Sequence, residues 1–185
     1  ILYAIGLTGD YRQRPYDTVE AHVDLPARIL QTAKFDSFLY LSSTRIYRGL
    51  ASDAIAVEDT PLPLTPSLDG VYDYSKLLGE SLCLAHANPA VRVARLSNVY
   101  GAGMSPALFL GAVLQSLRQD GAATIQDSAD SAKDYIAIND AVTALINIAT
   151  RGAHRLYNVA NGHRTTNRQI ADALAAAGQK VGFAA

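Results

Sequence analysis

The chain has 185 residues, of which 49% are hydrophobic and 18% charged, a balance that is typical of a folded domain and excludes a disordered or fibrous chain. Its 16 basic and 17 acidic side chains give a net charge of −1 without a polybasic run, which argues against nucleic acid or an anionic membrane as partner. No apolar run reaches the roughly 20 residues of a membrane span. The single cysteine, Cys83, predicts a reducing compartment and hence a cytoplasmic protein.

The hydrophobic pattern predicts strands separated by helices. Residues 1–5 are apolar and predict a buried strand, and residues 17–33 place apolar side chains at helical spacing. The later predicted elements are a strand at 38–41, a loop at 50–69, a helix at 70–87, a strand at 91–96, a helix at 106–119, a strand at 122–126, a helix at 139–150, a strand at 156–160 and a helix at 167–177. This order is typical of an α/β fold with a doubly wound parallel sheet.

Three of the predicted strands end in glycine or in small polar residues. The exits are Gly6, the run Ser42-Ser43-Thr44 and the pair Ser97-Asn98. Because ligands bind at the carboxyl ends of parallel strands, we expect a site at this edge of the sheet. The alternative is that these residues only turn the chain.

Tyr72 and Lys76 are four residues apart in a predicted helix and therefore share one of its faces. A nearby ammonium group favours a phenolate, so we expect Lys76 to lower the pKa of Tyr72. Together with the hydroxyl of Ser43, such a pair can remove a proton from an alcohol while a hydride leaves its carbon. That chemistry needs a hydride acceptor, which a dinucleotide on a parallel sheet supplies.

Five segments occur in the order found in one enzyme family. They are Leu39-Tyr40-Leu41-Ser42-Ser43-Thr44-Arg45-Ile46-Tyr47, Tyr72-Asp73-Tyr74-Ser75-Lys76, Arg95-Leu96-Ser97-Asn98-Val99-Tyr100-Gly101, Lys133-Asp134-Tyr135-Ile136 through Asp140, and Tyr157-Asn158-Val159-Ala160-Asn161-Gly162. With them the chain resembles the extended short-chain dehydrogenase/reductase family, the NAD-dependent epimerase/dehydratase group that acts on sugar nucleotides. The resemblance implies a Rossmann-type fold.

The resemblance also implies roles for individual residues. It makes Ser43, Tyr72 and Lys76 the catalytic residues. It implies that the cofactor is bound by Ala4, Ile5, Gly6, Leu41, Ser42, Tyr72, Lys76, Leu96 and Ser97, and the substrate by Thr44, Asn98 and Lys133. The implied cofactor is NAD or NADP, with NAD favoured, and no metal is expected. A nucleotide sugar or similar small molecule is the implied substrate, and a homodimer is implied by analogy.

Under this resemblance the apolar segment 1–5 corresponds to the fourth strand of a Rossmann sheet. The glycine-rich turn that the family places before this strand is not in the sequence, so we expect the chain to be incomplete at its start, and also at its end. Residues 1–101 are then part of the NAD(P)-binding domain, while residues 102–185 combine substrate-binding segments with the last Rossmann strand and helices. The first strand becomes an exposed edge.

Departures from the family pattern reduce the number of candidate reactions. Dehydratases of the family carry an acidic pair after the catalytic hydroxyl, where this chain has Thr44 and Arg45, so epimerisation is favoured over 4,6-dehydration. Lys133 stands where epimerases have an arginine for the substrate diphosphate, and lysine lacks its two-pronged fork. Acidic residues in the loop 127–131 would repel a diphosphate. The alternatives are therefore a non-catalytic NAD(P)-binding scaffold and a reductase of a small carbonyl compound.

Overall fold

A computed structural model describes residues 1–51 and 54–184, and the chain forms two compact units. The first unit comprises Ile1–Ser97 and Asp140–Val159, and the second comprises Asn98–Asn139 and Ala160–Ala185. The predicted loop at 50–69 is irregular except for a short turn of helix near its end, and its residues 52 and 53 lie outside the described residues. Among the described helices, none combines the length and apolar character needed to cross a membrane.

Most of the predicted elements are present. The strands are β1 (Leu2–Tyr3), β2 (Phe38–Ser43), β3 (Val91–Leu96), β4 (Asn98–Tyr100), β5 (Ala122–Ile125), β6 (Ala132–Ala137), β7 (Leu156–Val159), β8 (Arg164–Thr166) and β9 (Lys180–Phe183). The helices are α1 (Pro15–Val19), α2 (Leu25–Thr32), α3 (Val71–Ala85), α4 (Phe109–Asp120), α5 (Ile138–Arg151) and α6 (Asn167–Ala176). Short 3₁₀ turns cover Thr44–Tyr47 and Leu68–Gly70.

The helix predicted at 17–33 is interrupted. A π-helical segment, Glu20–Asp24, joins α1 to α2. Pro26 lies in the first turn of α2, where its lack of an N–H is tolerated. In the interior of one continuous helix over 17–33 the same proline would remove a backbone hydrogen bond. The wider π turn just before it accommodates this loss and directs His22 inward.

Four parallel strands form the sheet of the first unit, in the order β1-β2-β3-β7. Both faces of the central strands are covered, because Phe38, Leu39 and Tyr40 are fully buried in succession, the pattern of a sheet shielded on both sides. As expected, β1 is an edge strand, and within the described residues it pairs with β2 alone. The predicted parallel sheet is therefore present.

The second unit contains two small sheets. In one, β4 pairs with β6 in parallel and β6 pairs with β8 antiparallel; in the other, β5 pairs with β9 in parallel. Its core is apolar and lies between α4, α6 and the second sheet; its buried members are Val113, Leu117, Ala123, Ile125 and Ala171. The sequence analysis does not predict strands β4, β6, β8 and β9. Three of them have only three or four residues, and β6 contains two adjacent charged residues, so they carry little alternation of apolar and polar side chains.

Helix α3 approaches the π-helical segment closely at Gly79. A Cβ at this position would lie 2.4 Å from the backbone oxygen of His22 and 2.4 Å from the hydroxyl oxygen of Tyr40. These two atoms already bond each other, since the Tyr40 hydroxyl donates to the His22 carbonyl over 3.0 Å. Gly79 therefore sets how near the helix lies to the residues beneath it.

We expect Gly79→Ala to destabilise the protein by about 1–3 kcal/mol, the usual cost of overpacking. The sign is informative, since the same change in an open helix interior would stabilise by about 1 kcal/mol. Urea unfolding measures the difference. Gly182→Ala is the control, because a Cβ there meets nothing within 4 Å. Equal stability of the two variants would contradict the close approach.

Candidate active site

Ser43 ends β2 and caps the 3₁₀ turn that follows. Its hydroxyl oxygen accepts a hydrogen bond from the backbone N–H of Arg45 over 3.2 Å. The Ser43 side chain also acts on the phenol of Tyr72, whose pKa it lowers. The structure thus brings together the strand-end hydroxyl and the helix phenol that the sequence analysis selected, although their roles stay predictions.

Tyr72 lies in the first turn of α3 and is almost completely buried. Burial is the largest influence on its phenol and raises the pKa above the ordinary value. The hydrogen bond with Ser43 and the positive charge of Arg45 lower the pKa in part. The phenol therefore holds its proton more firmly than a tyrosine in water.

Lys76 is buried one turn further along α3. Its ammonium group donates to the backbone oxygen of Leu41 over 2.8 Å and lies 5.0 Å from the centre of the Tyr40 ring. Burial lowers the pKa of Lys76 to about 8, against the opposing effect of Glu80. The net direction for Tyr72 is upward because burial is the largest influence on its pKa, and the cation named among the influences that lower it is Arg45. The effect of Lys76 on the pKa of Tyr72 stays a prediction.

Arg45 is the contact of Tyr72 that the sequence analysis did not anticipate. Its guanidinium carbon lies 5.1 Å from the centre of the Tyr72 ring and 4.8 Å from that of Tyr11. It donates a hydrogen bond of 2.6 Å to the Tyr11 hydroxyl and forms an ion pair with Asp73 at 3.2 Å. Asp73 pairs also with Arg48, at 2.7 Å, so one carboxylate faces two guanidinium groups.

His22 is fully buried beneath Tyr72, with its ring edge-on to the phenol ring at 5.3 Å. Its Nδ1 lies 2.8 Å from the hydroxyl oxygen of Ser75, whose proton is donated to the backbone oxygen of Tyr72. Burial first, and the charge of Lys76 second, lower the pKa of His22 to about 3. The imidazole is therefore neutral, and Ser75 is positioned to accept from Nδ1–H.

The buried imidazole predicts that stability falls with acidification. The unfolded histidine binds a proton near pH 6.5 and the folded one only near 3, so the free energy of unfolding is lost as pH falls through this window and is constant above it. The slope approaches about 1.4 kcal/mol per pH unit. We expect His22→Gln to reduce the slope between pH 6 and 4 (about one titrating group), as measured by urea unfolding. Parallel slopes would contradict a neutral buried His22.

The remaining predicted cofactor positions lie at the strand exits of the first unit. Ala4, Ile5 and Gly6 follow β1 and are exposed. A Cβ at Gly6 would stand 2.9 Å from Nε2 of His22 and 3.3 Å from Nζ of Lys76, so only glycine leaves both side chains in place. Their cofactor role stays a prediction.

The polar side chains at the ends of β2 and β3 differ in their hydrogen-bond partners. Ser42 donates a hydrogen bond of 2.5 Å to Glu80 and is buried. Thr44 donates to the backbone oxygen of Leu96 over 3.3 Å. Ser97 is buried, and within the described part of the chain its hydroxyl oxygen has no hydrogen-bond partner.

A buried ion pair lies behind the serine strand. The carboxylate of Glu80 receives three hydrogen bonds from Arg95, the shortest 2.7 Å, and both side chains are nearly inaccessible to solvent. Arg95 also donates to the Tyr47 hydroxyl over 2.6 Å, and that hydroxyl donates to the side-chain oxygen of Asn158 over 2.9 Å. This network fixes α3 to β3 and to the turn after Ser43.

Two predicted substrate residues belong to the second unit. Asn98 begins β4 and donates from its side chain to the backbone oxygen of Asp134 over 2.9 Å. Lys133 lies on β6 with its ammonium group 5.0 Å from the centre of the Phe109 ring. Within this unit the acidic loop is ionised at Asp127, where a backbone hydrogen bond from Ser128 is the largest of the influences that lower the pKa.

A family model described as "NAD dependent epimerase/dehydratase family" matches residues 1–160. The chain belongs to this family. The resemblance read from the five segments is thereby confirmed, while the search of curated proteins finds no match.

Solved structures confirm the Rossmann-type α/β fold of this epimerase/dehydratase-family chain. The dTDP-glucose 4,6-dehydratase of Bacillus anthracis, in complex with NAD, has a TM-score of 0.75 at 20% identity, covering 91% of this chain and 56% of its own. RMD from Pseudomonas aeruginosa, complexed with NADPH, has a TM-score of 0.82 at 22% identity, covering 99% and 66%. The UDP-glucuronic acid 4-epimerase of Bacillus cereus, in complex with NAD, has a TM-score of 0.76 at 20% identity, covering 98% and 61%. The chain thus spans 56 to 66% of the length of these structures.

Two buried polar atoms in this family member have hydrogen-bonding capacity that a bound dinucleotide would use. Ser97 Oγ and His22 Nε2 are buried polar atoms without a hydrogen-bond partner among the described residues. Gly6 leaves no side chain over the ammonium group of Lys76. Across the described ranges, 1–51 and 54–184, no cluster of side chains suited to a metal ion is present.

Proposed function

We propose that the protein is an NAD(P)-dependent epimerase or oxidoreductase that acts on a hydroxyl or keto carbon of a nucleotide sugar through Ser43, Tyr72 and Lys76, with NAD favoured over NADP. The observation that carries the proposal is the placement of Ser43 at the carboxyl end of a parallel strand, next to a phenol whose pKa it lowers, that of Tyr72, with Lys76 one turn further along the same helix. Membership of the family supports it.

Each of the three residues has a distinct task in this proposal. Tyr72 takes the proton of the substrate hydroxyl, or returns it to a keto oxygen, at its phenol oxygen. Ser43 positions that substrate oxygen, and its bond from the backbone of Arg45 leaves the hydroxyl proton free to be donated. Lys76 holds the cofactor, which supplies the hydride acceptor and donor when bound.

Epimerisation is favoured over 4,6-dehydration because the positions after Ser43 are Thr44 and Arg45. The Thr44 hydroxyl is bonded to a backbone oxygen, and Arg45 carries a permanent positive charge. Neither side chain can protonate a leaving hydroxyl as a carboxylic acid does. Dehydratases and an epimerase both occur among the similar structures, so the fold does not decide between the reactions.

The remaining assignments follow from the same proposal. Residues 1–101 contribute to the NAD(P)-binding domain, and residues 102–185 combine substrate-binding segments with the last Rossmann elements. Thr44, Asn98 and Lys133 bind substrate. A homodimer formed through α3 is consistent with the exposed Leu78 and Leu84 on that helix.

The proposal is tested by titrating the intact protein with NADH and with NADPH and following cofactor fluorescence. Binding of one of them is expected, with NADH the tighter. Incubation with UDP- and dTDP-hexoses and the matching hexuronic acids, followed by separation of epimers, then identifies the reaction. A protein that binds a cofactor but converts none of the substrates tested is the non-catalytic NAD(P)-binding scaffold instead, and a protein that binds neither cofactor contradicts the proposal.

A reductase of a small carbonyl compound is the second candidate. This second candidate is favoured by the acidic loop 127–131. The pKa of Asp127 in that loop is lowered, so its carboxylate is ionised and would repel a diphosphate. Ketones without a phosphate group, tested beside the sugar nucleotides, separate the two. Turnover of the ketones alone would replace the sugar-nucleotide proposal with this one.

A further inference from the structure

Arg45 is linked to both of the hydroxyl groups that the proposed mechanism uses. Its backbone N–H donates to the Ser43 hydroxyl oxygen over 3.2 Å, and its guanidinium carbon lies 5.1 Å from the centre of the Tyr72 ring. A single residue thus orients one group and faces the other. This is the closest guanidinium group to the phenol ring among the ring contacts of the described residues.

The guanidinium group of Arg45 is held in place by two partners. The Tyr11 hydroxyl accepts a hydrogen bond of 2.6 Å, and the Tyr11 ring lies 5.4 Å from that of Tyr72, so the three groups pack together. Asp73, on the same helix as Tyr72, pairs with Arg45 from the other side. A guanidinium group held by two partners presents its charge to the phenol without having to be reoriented during the reaction.

The ion pair with Asp73 does not cancel the positive charge near the phenol. The carboxylate of Asp73 is shared with Arg48, whose Nε lies 2.7 Å from its second oxygen. Asp69 also feels the charges of both arginines and is itself paired with Arg12 at 2.6 Å, so three guanidinium groups and two carboxylates leave a surplus of one positive charge. Because the cluster is partly shielded from solvent, this charge acts on Tyr72 more strongly than an exposed arginine would.

We propose that Arg45 is the positioning residue that stabilises the phenolate form of Tyr72 and orients Ser43 for proton transfer. The inference rests on the proposed function, in which Tyr72 is the base. It assigns to Arg45 the task that the sequence analysis gave to Lys76, whose ammonium group is bonded to Leu41 instead. Proton abstraction by Tyr72 needs such a cation because burial opposes ionisation of the phenol.

Four charged or titratable groups face Tyr72 among the described residues. They come from four places in the first unit: Arg45 after β2, Tyr11 before α1, His22 in the π-helical segment and Asp73 on α3. His22 is neutral because its pKa is about 3, and Asp73 opposes ionisation of the phenol. Arg45 is therefore the one cation in this group of four.

The test compares Arg45→Met with Arg48→Met. Methionine keeps an apolar stem over the Tyr11 and Tyr72 rings and removes the charge. Arg48→Met removes an equal charge from the same carboxylate, and Arg48 is absent from the ring contacts described for Tyr72. The direct measurement is the titration of Tyr72 by NMR of protein labelled at the tyrosine Cζ, in the absence of substrate and cofactor.

We expect the Tyr72 titration to move to higher pH in Arg45→Met and to remain near the wild-type position in Arg48→Met. In turnover, Arg45→Met should lose about tenfold at neutral pH, recover at higher pH and leave KM unchanged. Arg45→Lys should restore part of the neutral activity. A structural role alone would lower turnover at every pH.

An unshifted Tyr72 titration in Arg45→Met would overturn the proposal, as would equal shifts in the two variants. If Arg45→Met does not fold, Arg45→Lys carries the same test. A lysine ammonium group lacks the planar guanidinium that faces the ring, so the Tyr72 titration should again move to higher pH. The titration needs no substrate. A protein that shows the shift but turns over none of the sugar nucleotides would contradict the proposed function, while the effect of Arg45 on the Tyr72 phenol would stand by itself.

Discussion

Replacing Tyr72 with Phe is expected to lower turnover by about 10²- to 10⁴-fold, the usual contribution of a general acid or base, while NADH binding stays at the wild-type level. The substitution removes only the hydroxyl that is bonded to Ser43. The ring contacts with Tyr11 and His22 remain, so the fold around the site is retained. Steady-state kinetics and a fluorescence titration of NADH measure the two quantities.

Tyr74→Phe is the matched control for this prediction. Tyr74 lies two residues further along the same helix, and its hydroxyl donates to the backbone oxygen of Thr65. Loss of that bond affects the loop before α3 and not the Ser43 hydroxyl. Near-normal turnover in Tyr72→Phe, or an equal loss in both variants, would remove Tyr72 from its proposed role.

Arg95→Met is expected to destabilise the protein by about 3–5 kcal/mol. The change leaves the carboxylate of Glu80 buried without the guanidinium group that pairs with it, while the Ser42 hydroxyl still donates to it. It also removes a donor from the Tyr47 hydroxyl. Urea unfolding monitored by circular dichroism gives the free energy of unfolding.

Two further variants show whether the loss comes from the unpaired charge. Arg168→Met breaks an exposed ion pair with Asp130, and we expect at most about 1 kcal/mol from it. The double variant Arg95→Met/Glu80→Leu removes both buried charges and should be more stable than Arg95→Met alone. If the double variant is less stable than the single one, the buried carboxylate is not the source of the loss.

The pattern of apolar residues was sufficient to predict the parallel sheet and most helices, because burial on both faces produces unbroken runs such as Phe38-Leu39-Tyr40. Local signals could not reveal the π-helical segment. Its sequence, from Glu20 to Asp24, contains neither glycine nor proline, and the helix breaker is Pro26 in the following turn. The small strands of the second unit are fixed by their partners rather than by their own residues.

For the candidate site, motif spacing selected Ser43 and Tyr72, and the structure places them in contact. The spacing of residues along a helix does not tell which partner a side chain binds. Lys76 shares a helix face with Tyr72, yet its ammonium group bonds Leu41. The sequence identifies Arg45 only as a residue that cannot act as an acid. Its packing against Tyr11, more than thirty positions earlier, is a contact that only the fold creates.

The order of the chain in the first unit bears on how fast its sheet can be completed. Strand β7 pairs with β3, although the whole of Asn98–Asn139 and helix α5 separate them along the chain. Bringing such distant segments together costs loop-closure entropy before any of their contacts form. We therefore expect the rate at which β7 docks on β3 to fall when the segment between them is lengthened.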